Sequence, residues 1–313
     1  GEVPVEIFPS EYKEVGGVKW SHKSRQLLAG GAIEMVQTIE KVEVNTEVPA
    51  GTFDPPAEIK ELKDAGLDTL PGTSAEILDQ EIRDIIAPGR ITVQQWIEVI
   101  TSAHSLGIPT TSTIMYGHIE TPVHWVKHMN LLRDIQKETG GFTEFVPLSL
   151  IHQEAPMYTR KLVENVREGA TGTEVVKMHA VARLMLGPTF RNIQSSWVKE
   201  GPKMAQYLLT AGANDLGGTL INESISTSAG AQYGQLVPPK ELRRLIRDAG
   251  RTPAERSTTY TLRKVFTGAD EEVSPLDLVK NADERFGSYR KLAASEQFRY
   301  VHPFEREKQQ ATH

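Results

Sequence analysis

Cysteine is absent from all 313 residues, so the chain carries no thiolate for a metal. No apolar run approaches the roughly 20 residues needed to span a bilayer, and the amino terminus has no secretory pattern, so no membrane role is expected. No basic stripe stands out and the formal net charge is -6, so nucleic acid is not expected as a principal partner. Arg243, Arg244, Arg247 and Arg251 gather after Pro239, but acidic neighbours on an expected helix make them a solvated face rather than a phosphate site. Repeats and low-complexity linkers are also missing. A cytoplasmic setting is the expectation. The chain opens on Gly rather than Met, which reads as processing or an incomplete product, so an organellar setting stays open.

What the chain does contain is 39% hydrophobic residues, enough for one large barrel or two modest domains. Its most informative stretch is 108–120, where a β-rich run ends in a cluster of proton-exchanging side chains. Thr110, Thr111, Thr113 and Ile114 favour extended backbone, Gly117 permits a sharp exit, and Thr121-Pro122 starts a helix. Tyr116, His118 and Glu120 are thereby placed at the carboxyl end of a strand, where α/β folds collect ligands. The same grammar recurs. Helices are predicted over 57–65, 93–106, 123–138, 174–186 and 201–210, with Val126, Met129, Leu132 and Ile135 on one side of the third. Strands are predicted over 67–70, 108–116, 142–148, 192–197 and 214–220. Five strands, each preceded by a helix, argue for parallel β/α units and part of a barrel.

The stretches GLDTLPGTSAEIL (66–78), MYGHIETP (115–122), TGGFTEFVPL (139–148), NIQSSWVK (192–199) and ANDLGGT (213–219) together resemble one branch of the radical S-adenosylmethionine enzymes. That branch holds the 7,8-didemethyl-8-hydroxy-5-deazariboflavin synthases, and the resemblance is to their tyrosine-using half, the 5-amino-6-(D-ribitylamino)uracil hydroxybenzyltransferases. It runs from about residue 58 to about residue 262. The menaquinone-pathway aminofutalosine synthases share the architecture and are the nearest alternative.

The resemblance implies an α/β fold, a partial (β/α) TIM-type barrel covering the fourth to eighth strands. It divides the chain into a divergent segment 1–57, the barrel and substrate region 58–262, and a helical extension with a frayed tail, 263–313. It further implies S-adenosylmethionine and a [4Fe-4S] cluster as cofactors, with L-tyrosine and 5-amino-6-(D-ribitylamino)uracil as substrates. The family's cluster sits on a Cys-x3-Cys-x2-Cys loop after the first strand. This chain has no such loop, so it is not expected to hold the cluster alone. An incomplete form, inactive by itself, is the expectation, with a chain supplying the missing barrel half or the companion synthase subunit as partner. The stretch 32–48, with alternating Val42 and Val44, supplies at most one substitute strand or hairpin. The alternative is a cluster-free, barrel-derived ligand-binding or interaction protein.

By position in the family, Tyr116 and His118 are the candidate catalytic residues, since a histidine near its ordinary pKa of about 6.5 passes protons readily. Glu76, Arg83 and Glu120 are candidates for S-adenosylmethionine; a guanidinium clamps a carboxylate in a bidentate fork. The plainer readings are an acidic first turn for Glu76, a surface pair with Asp79 or Asp84 for Arg83, and a backbone-satisfied loop histidine for His118. Asn214, Asp215, Thr219 and Glu223, with Gln194 and Ser196 one strand earlier, supply the mixed donors and acceptors that a ribityl chain and a uracil edge require. No metal ligand set is expected. His124 and His128 share a helix face but lack the partner of a zinc signature.

Overall fold

The computed structural model describes residues 5–15, 18–28, 33–40, 55–221, 223–233, 236–268, 273–288, 291 and 295. They fall into two units, one within residues 1–53 and the other Asp54–Arg299.

The first unit is an antiparallel meander of β1 (Val5–Val15), β2 (Val18–Leu28) and β3 (Ile33–Thr38), in that order. Val15 pairs with Val18. His22 is buried in β2, its Nδ1 2.8 Å from the Ile39 carbonyl. Within the stretch 32–48, β3 is a strand of this meander; Val42 and Val44 lie outside the described residues.

The second unit alternates helices and strands. It opens with α1 (Pro55–Asp64), α2 (Gln80–Ile86), α3 (Val93–Ser105), β4 (Thr110–Tyr116), α4 (Pro122–Thr139) and β5 (Phe142–Ser149). There follow α5 (Pro156–Thr159), α6 (Gly172–Leu186), α7 (Trp197–Glu200), α8 (Pro202–Leu208), α9 (Ile225–Ser228) and α10 (Pro239–Asp248). A hairpin of β6 (Ala254–Arg256) and β7 (Leu262–Val265), a 3-10 turn Pro275–Leu278 and α11 (Ala282–Phe286) complete the described part.

Local chemistry fixes the boundaries. Thr92 and Gln95 form a capping box at the start of α3, with Gln95 N donating to Thr92 Oγ1 at 3.1 Å and Thr92 N to Gln95 Oε1 at 2.9 Å. Trp96, Ile100 and Ala103 form its buried stripe. Helix α4 starts at Thr121-Pro122 as expected and stops at Gly140, whose φ of 65° is the left-handed closure that glycine permits. Its buried face differs from the expected one: Trp125, His128, Met129, Leu132 and Ile135 are inside, and Val126 is exposed.

The strands follow one parallel order. Leu70 bridges to Thr110, β4 pairs with β5, Phe145 bridges to Ile193, and Gln194 bridges to Asp215. All five expected strand positions are therefore present and neighbours in sequence are neighbours in space, yet only β4 and β5 form a ladder. Among the described residues no pairing joins Asp215 back to Leu70. The short flanks have causes. Pro71-Gly72 ends the first, and a side chain at Gly72 would lie 1.8 Å from the Thr111 carbonyl oxygen. Trp197 turns the fourth into α7, while Gly217 and Gly218 take φ of 74° and 86° and end the fifth.

Side chains alternate across β4 and β5, so Ile114, Tyr116 and Phe145 join Trp96, Met129, Leu132, Met178 and Trp197 in the main core beneath the helices. Glu144 shares the opposite face with Thr111 and Thr113. Of the helical extension expected within 263–313, the described residues show the 3-10 turn followed by α11, and the tail expected to be frayed, 305–313, lies outside the described residues.

Candidate active site

Parallel strands deliver their carboxyl ends to one edge, and Tyr116 pairs with Ser149 at that edge. The turn leaving β4 is closed by a single carboxylate. Glu120 Oε1 accepts from Gly117 N at 2.6 Å, Trp125 Nε1 at 3.0 Å and an Arg167 terminal nitrogen at 3.3 Å, while Oε2 accepts from His118 N at 2.8 Å. Burial raises the pKa of Glu120, but His118 beside it and these donors outweigh burial and hold the pKa below the usual carboxylate range. Arg167 also donates its backbone N–H to the His118 carbonyl and a guanidinium hydrogen to Glu174 at 2.6 Å.

His118 is fully buried. Its Nε2 lies 3.1 Å from the Met115 carbonyl, and Nδ1 lies 3.0 Å from Glu120 without the alignment of a hydrogen bond. Burial lowers its pKa against the pull of Glu120, so the ring is neutral near pH 7. Tyr116 is equally buried, edge-on to Trp125 at 5.6 Å. Its hydroxyl has no hydrogen-bond partner among the described residues. Burial first, then the charges of Glu200, Glu174 and Glu120, keep it protonated.

The loop before α2 faces the same edge. Ser74 and Glu76 take φ of 60° and 40°, strained for residues with a side chain, and the Glu76 carbonyl accepts from Met115 N at 2.6 Å. Arg83, 2% exposed, holds this loop: NH1 donates to Ser74 O at 2.9 Å and Ala75 O at 2.5 Å, and NH2 to Ile91 O at 2.6 Å. With both terminal nitrogens committed to backbone, the guanidinium offers no free fork to a ligand. Its work is to display Glu76, whose carboxylate has no hydrogen bond or ion pair among the described residues.

Helix α7 carries Lys199 and Glu200, both half-buried. The Lys199 ammonium makes no hydrogen bond or ion pair among the described residues. Burial lowers its pKa, opposed by the fields of Glu223, Glu200 and Glu76. Burial pushes the Glu200 carboxyl up, opposed by Ser149 and Lys199, and its Oε1 is buried without a partner. Glu223 receives Ser226 N on both oxygens at 3.0 and 2.9 Å. Trp197 Nε1 anchors α7 by donating to Gly218 O at 2.7 Å.

A separate network lies deeper. Asp215 accepts from Arg256 Nε at 2.5 Å and NH2 at 2.9 Å, and from Gly217 N at 2.7 Å. Glu144 accepts from Gln194 Nε2 at 2.8 Å and from the Tyr260 hydroxyl, and Arg256 stacks over the Tyr260 ring at 3.9 Å. Burial raises the pKa of Glu144, which Tyr260 counteracts. A cavity of about 310 Å³ beside this network is lined by Asp215, Gly217, Gly218, Thr219, Arg256 and Phe266, among others.

Two family models match the chain: the radical SAM superfamily over residues 22–132 and the CofH/MqnC C-terminal region over residues 139–268. The chain belongs to the radical SAM superfamily. It is 53% identical over 208 residues to the 5-amino-6-(D-ribitylamino)uracil--L-tyrosine 4-hydroxyphenyl transferase of Methanopyrus kandleri, covering 66% of this chain and 56% of that protein. The transferase of the same description from Methanothermobacter thermautotrophicus is 53% identical over 202 residues, 64% of this chain and 54% of that one. The FO synthase of Mycobacterium leprae is 46% identical over 228 residues, 73% of this chain and 26% of its own. The chain thus spans little more than half the length of the first two. The superfamily match begins at residue 22, upstream of the motif resemblance at about residue 58, and so takes in part of the antiparallel meander.

Of the residues singled out in this radical SAM chain, Tyr116, His118, Glu120, Glu76 and Arg83 do share the carboxyl edge, although Glu120 and Arg83 spend themselves on backbone and neighbouring side chains. Glu223 caps the start of α9, accepting from Ser226 N on both oxygens. Asn214 is separated from Asp215: successive strand residues face opposite ways, and Asn214 is exposed on the helix side, accepting from an Arg183 terminal nitrogen and Ile193 N, both at 2.8 Å. Gln194 and Asp215 belong to the deeper network, Thr219 to its cavity, and Ser196 is buried at the start of α7 with no capping bond. His124 Nδ1 accepts from Thr121 N and His128 Nδ1 from Leu78 N, each at 3.0 Å. Arg243 is not solvated as expected but 8% exposed, paired with Asp277 at 3.4 Å. Lys199, Glu200, Glu144, Arg256 and Tyr260 went unforeseen. For Glu144, an acidic residue within a buried parallel strand was the available signal.

Proposed function

We propose that this chain binds the substrates of tyrosine-dependent hydroxybenzyl transfer, L-tyrosine and 5-amino-6-(D-ribitylamino)uracil, together with S-adenosylmethionine. On this reading its five parallel strand positions are the fourth to eighth of a (β/α) TIM-type barrel, and a second chain supplies the rest. The observation that carries the proposal is the pair of charges at the carboxyl edge without a hydrogen bond or ion pair among the described residues, Glu76 and Lys199, with the buried Glu200 Oε1, in a chain that is 53% identical over about two thirds of its length to transferases of that description.

An iron–sulfur cluster does not fit the residues present. The chain has no cysteine, and among the described residues no group of three or more His, Asp or Glu side chains is placed to hold a metal ion. No step is therefore derived through the cluster. What the chain's own residues do is bind and orient. Glu120, His118 and Arg83 fix the two turns; Tyr116 presents a neutral hydroxyl; Gln194, Asp215 and Thr219 line the way to the ribityl and uracil groups.

Calorimetric titration of the purified chain with ribitylaminouracil tests the reading, with Asp215→Ala expected to weaken binding by about 1 to 3 kcal/mol. Asn214→Ala, on the other face, is expected to change it far less. Absence of binding, with a stable monodisperse chain, favours the second reading that the lack of cysteine supports: a cluster-free interaction protein.

A further inference from the structure

At the amino ends of the last strands, away from the carboxyl edge, charge of one sign collects around a cavity of about 920 Å³. Arg183, Arg191, Arg251 and Arg256 all line it, with Asp215 as the one acid among the lining residues. Arg256 and Asp215 hold each other, so three guanidiniums remain without a counter-charge in the wall. In a chain with 41 acidic residues against 35 Lys and Arg, a wall that gathers arginines and keeps carboxylates out is a local departure from the whole. Arg183 gives its hydrogens to neutral oxygens: Nε donates to Gly212 O at 2.8 Å, NH1 to Phe190 O and Arg191 O, both at 3.3 Å, and NH2 to Asn214 Oδ1 at 2.8 Å. It supplies a fixed positive charge rather than a free fork, and it ties the backbone of Arg191 to the turn at Gly212. Gly212 lets that turn close on α6, because its φ is 120° and a Cβ there would lie 2.8 Å from Arg183 Cβ. The free forks belong to the other two. Arg251 spends one hydrogen on Leu209 O at 3.5 Å, and the Arg191 guanidinium makes no hydrogen bond or ion pair among the described residues.

We infer that this cavity is a binding site for the diphosphate group of a small molecule, held by the Arg191 and Arg251 guanidiniums over the fixed charge of Arg183. A single carboxylate brings one negative charge to a wall that offers three positive ones, whereas a diphosphate brings a matching charge on oxygens that guanidinium forks accept in pairs. The volume lies within the roughly 300–1,000 Å³ of small-molecule sites and exceeds what the phosphates alone fill. Leu209, Ile246 and Leu262 line the remainder and give the rest of such a molecule an apolar wall. The site goes beyond the substrate reading and does not rest on it, since neither Arg191 nor Arg251 belongs to the carboxyl edge.

Calorimetric titration of the whole chain with inorganic pyrophosphate is the test, beside inorganic phosphate, which carries less charge, and succinate, which puts two carboxylates in place of the phosphates. Pyrophosphate is expected to bind about tenfold or more tightly than either, and more weakly as ionic strength rises. Arg191→Gln and Arg251→Gln should each weaken it about fivefold or more. The double variant should lose it while keeping the urea midpoint of wild type, because neither side chain holds the fold together. Arg160→Gln, at an exposed arginine outside the cavity, should bind pyrophosphate as wild type does. The site is overturned if pyrophosphate does not bind, if succinate binds as tightly, if the folded double variant binds it as wild type does, or if Arg160→Gln weakens it as much. Ribitylaminouracil titrated in parallel keeps the two readings apart. Failure of the uracil to bind wild type refutes the substrate reading and leaves the diphosphate site standing, whereas loss of both ligands in the folded double variant puts them in one cavity and overturns a separate site.

Discussion

Two groups of charges meet at the carboxyl edge of the sheet, and they are built on opposite plans. Around the exit of β4, Glu120 takes four donors, Arg167 bridges Glu120 and Glu174, and Arg83 one loop away gives its terminal nitrogens to three carbonyls. Around α7, Lys199 and Glu76 have no partner among the described residues, and Glu200 keeps a buried oxygen unsatisfied. The first group is closed apart from Arg83 Nε, Arg167 Nε and His118 Nδ1, and the second is open at its charged ends. A buried charge with its partners in place holds a structure, whereas one without them costs free energy that only a ligand recovers. Nearness to the carboxyl edge therefore does not by itself mark a binding residue; what distinguishes one is unspent hydrogen-bonding capacity.

The largest effect that sharpens this contrast comes from Glu120. Glu120→Gln leaves Arg167 and the turn donors short of a charge, and a loss of about 3 to 5 kcal/mol in urea unfolding is expected. A near-neutral result would show the closed group to be dispensable. Acid should act next. His128 is buried and neutral with its pKa lowered by burial to about 3 from 6.5. The unfolded chain therefore binds the extra proton first, and the stability this group contributes is complete above pH 6.5 and falls as pH drops toward about 3, by roughly 1.4 kcal/mol per pH unit. His128→Gln, which retains an acceptor for Leu78 N, should flatten the pH dependence of the urea midpoint over that window. Arg83→Met should cost about 1 to 3 kcal/mol, since it strips donors from Ser74, Ala75 and Ile91 carbonyls. Ligand affinity would fall with it because Glu76 loses its support. Smallest of all is Lys199→Gln, with stability within about 0.5 kcal/mol of wild type. A large loss there would place Lys199 in the closed group.

Much of this edge was legible in the sequence, for local reasons. Thr121-Pro122 and the β-rich run into Tyr116 are short-range signals, and the elements they predict are present. The order of the five strand positions also followed from helix–strand alternation. What local patterns do not encode is how far each strand stays paired: Leu70, Ile193, Gln194 and Asp215 make single bridges because proline, α7 and two left-handed glycines cut them short. Nor do they encode partners far along the chain. Arg256 meets Asp215 and Tyr260 meets Glu144 from a hairpin whose strands are three and four residues long and largely exposed, with no periodicity to reveal it. Lys199 escaped because the strand was expected to run through Trp197, which drew attention to Gln194 and Ser196. Charged Lys199 and Glu200 just before Gly201-Pro202 were the signal of another polar exit.

The most direct measurement is the urea midpoint of wild type, Glu120→Gln and Lys199→Gln, each with and without L-tyrosine at about one hundred times its dissociation constant. A ligand bound only by the folded chain adds about 2.7 kcal/mol at that excess. The account predicts that tyrosine raises the midpoint of wild type and of the weakened Glu120→Gln protein alike, and stabilises Lys199→Gln by no more than about half as much. Stabilisation of Lys199→Gln equal to that of wild type, or loss of the effect in Glu120→Gln alone, would contradict it.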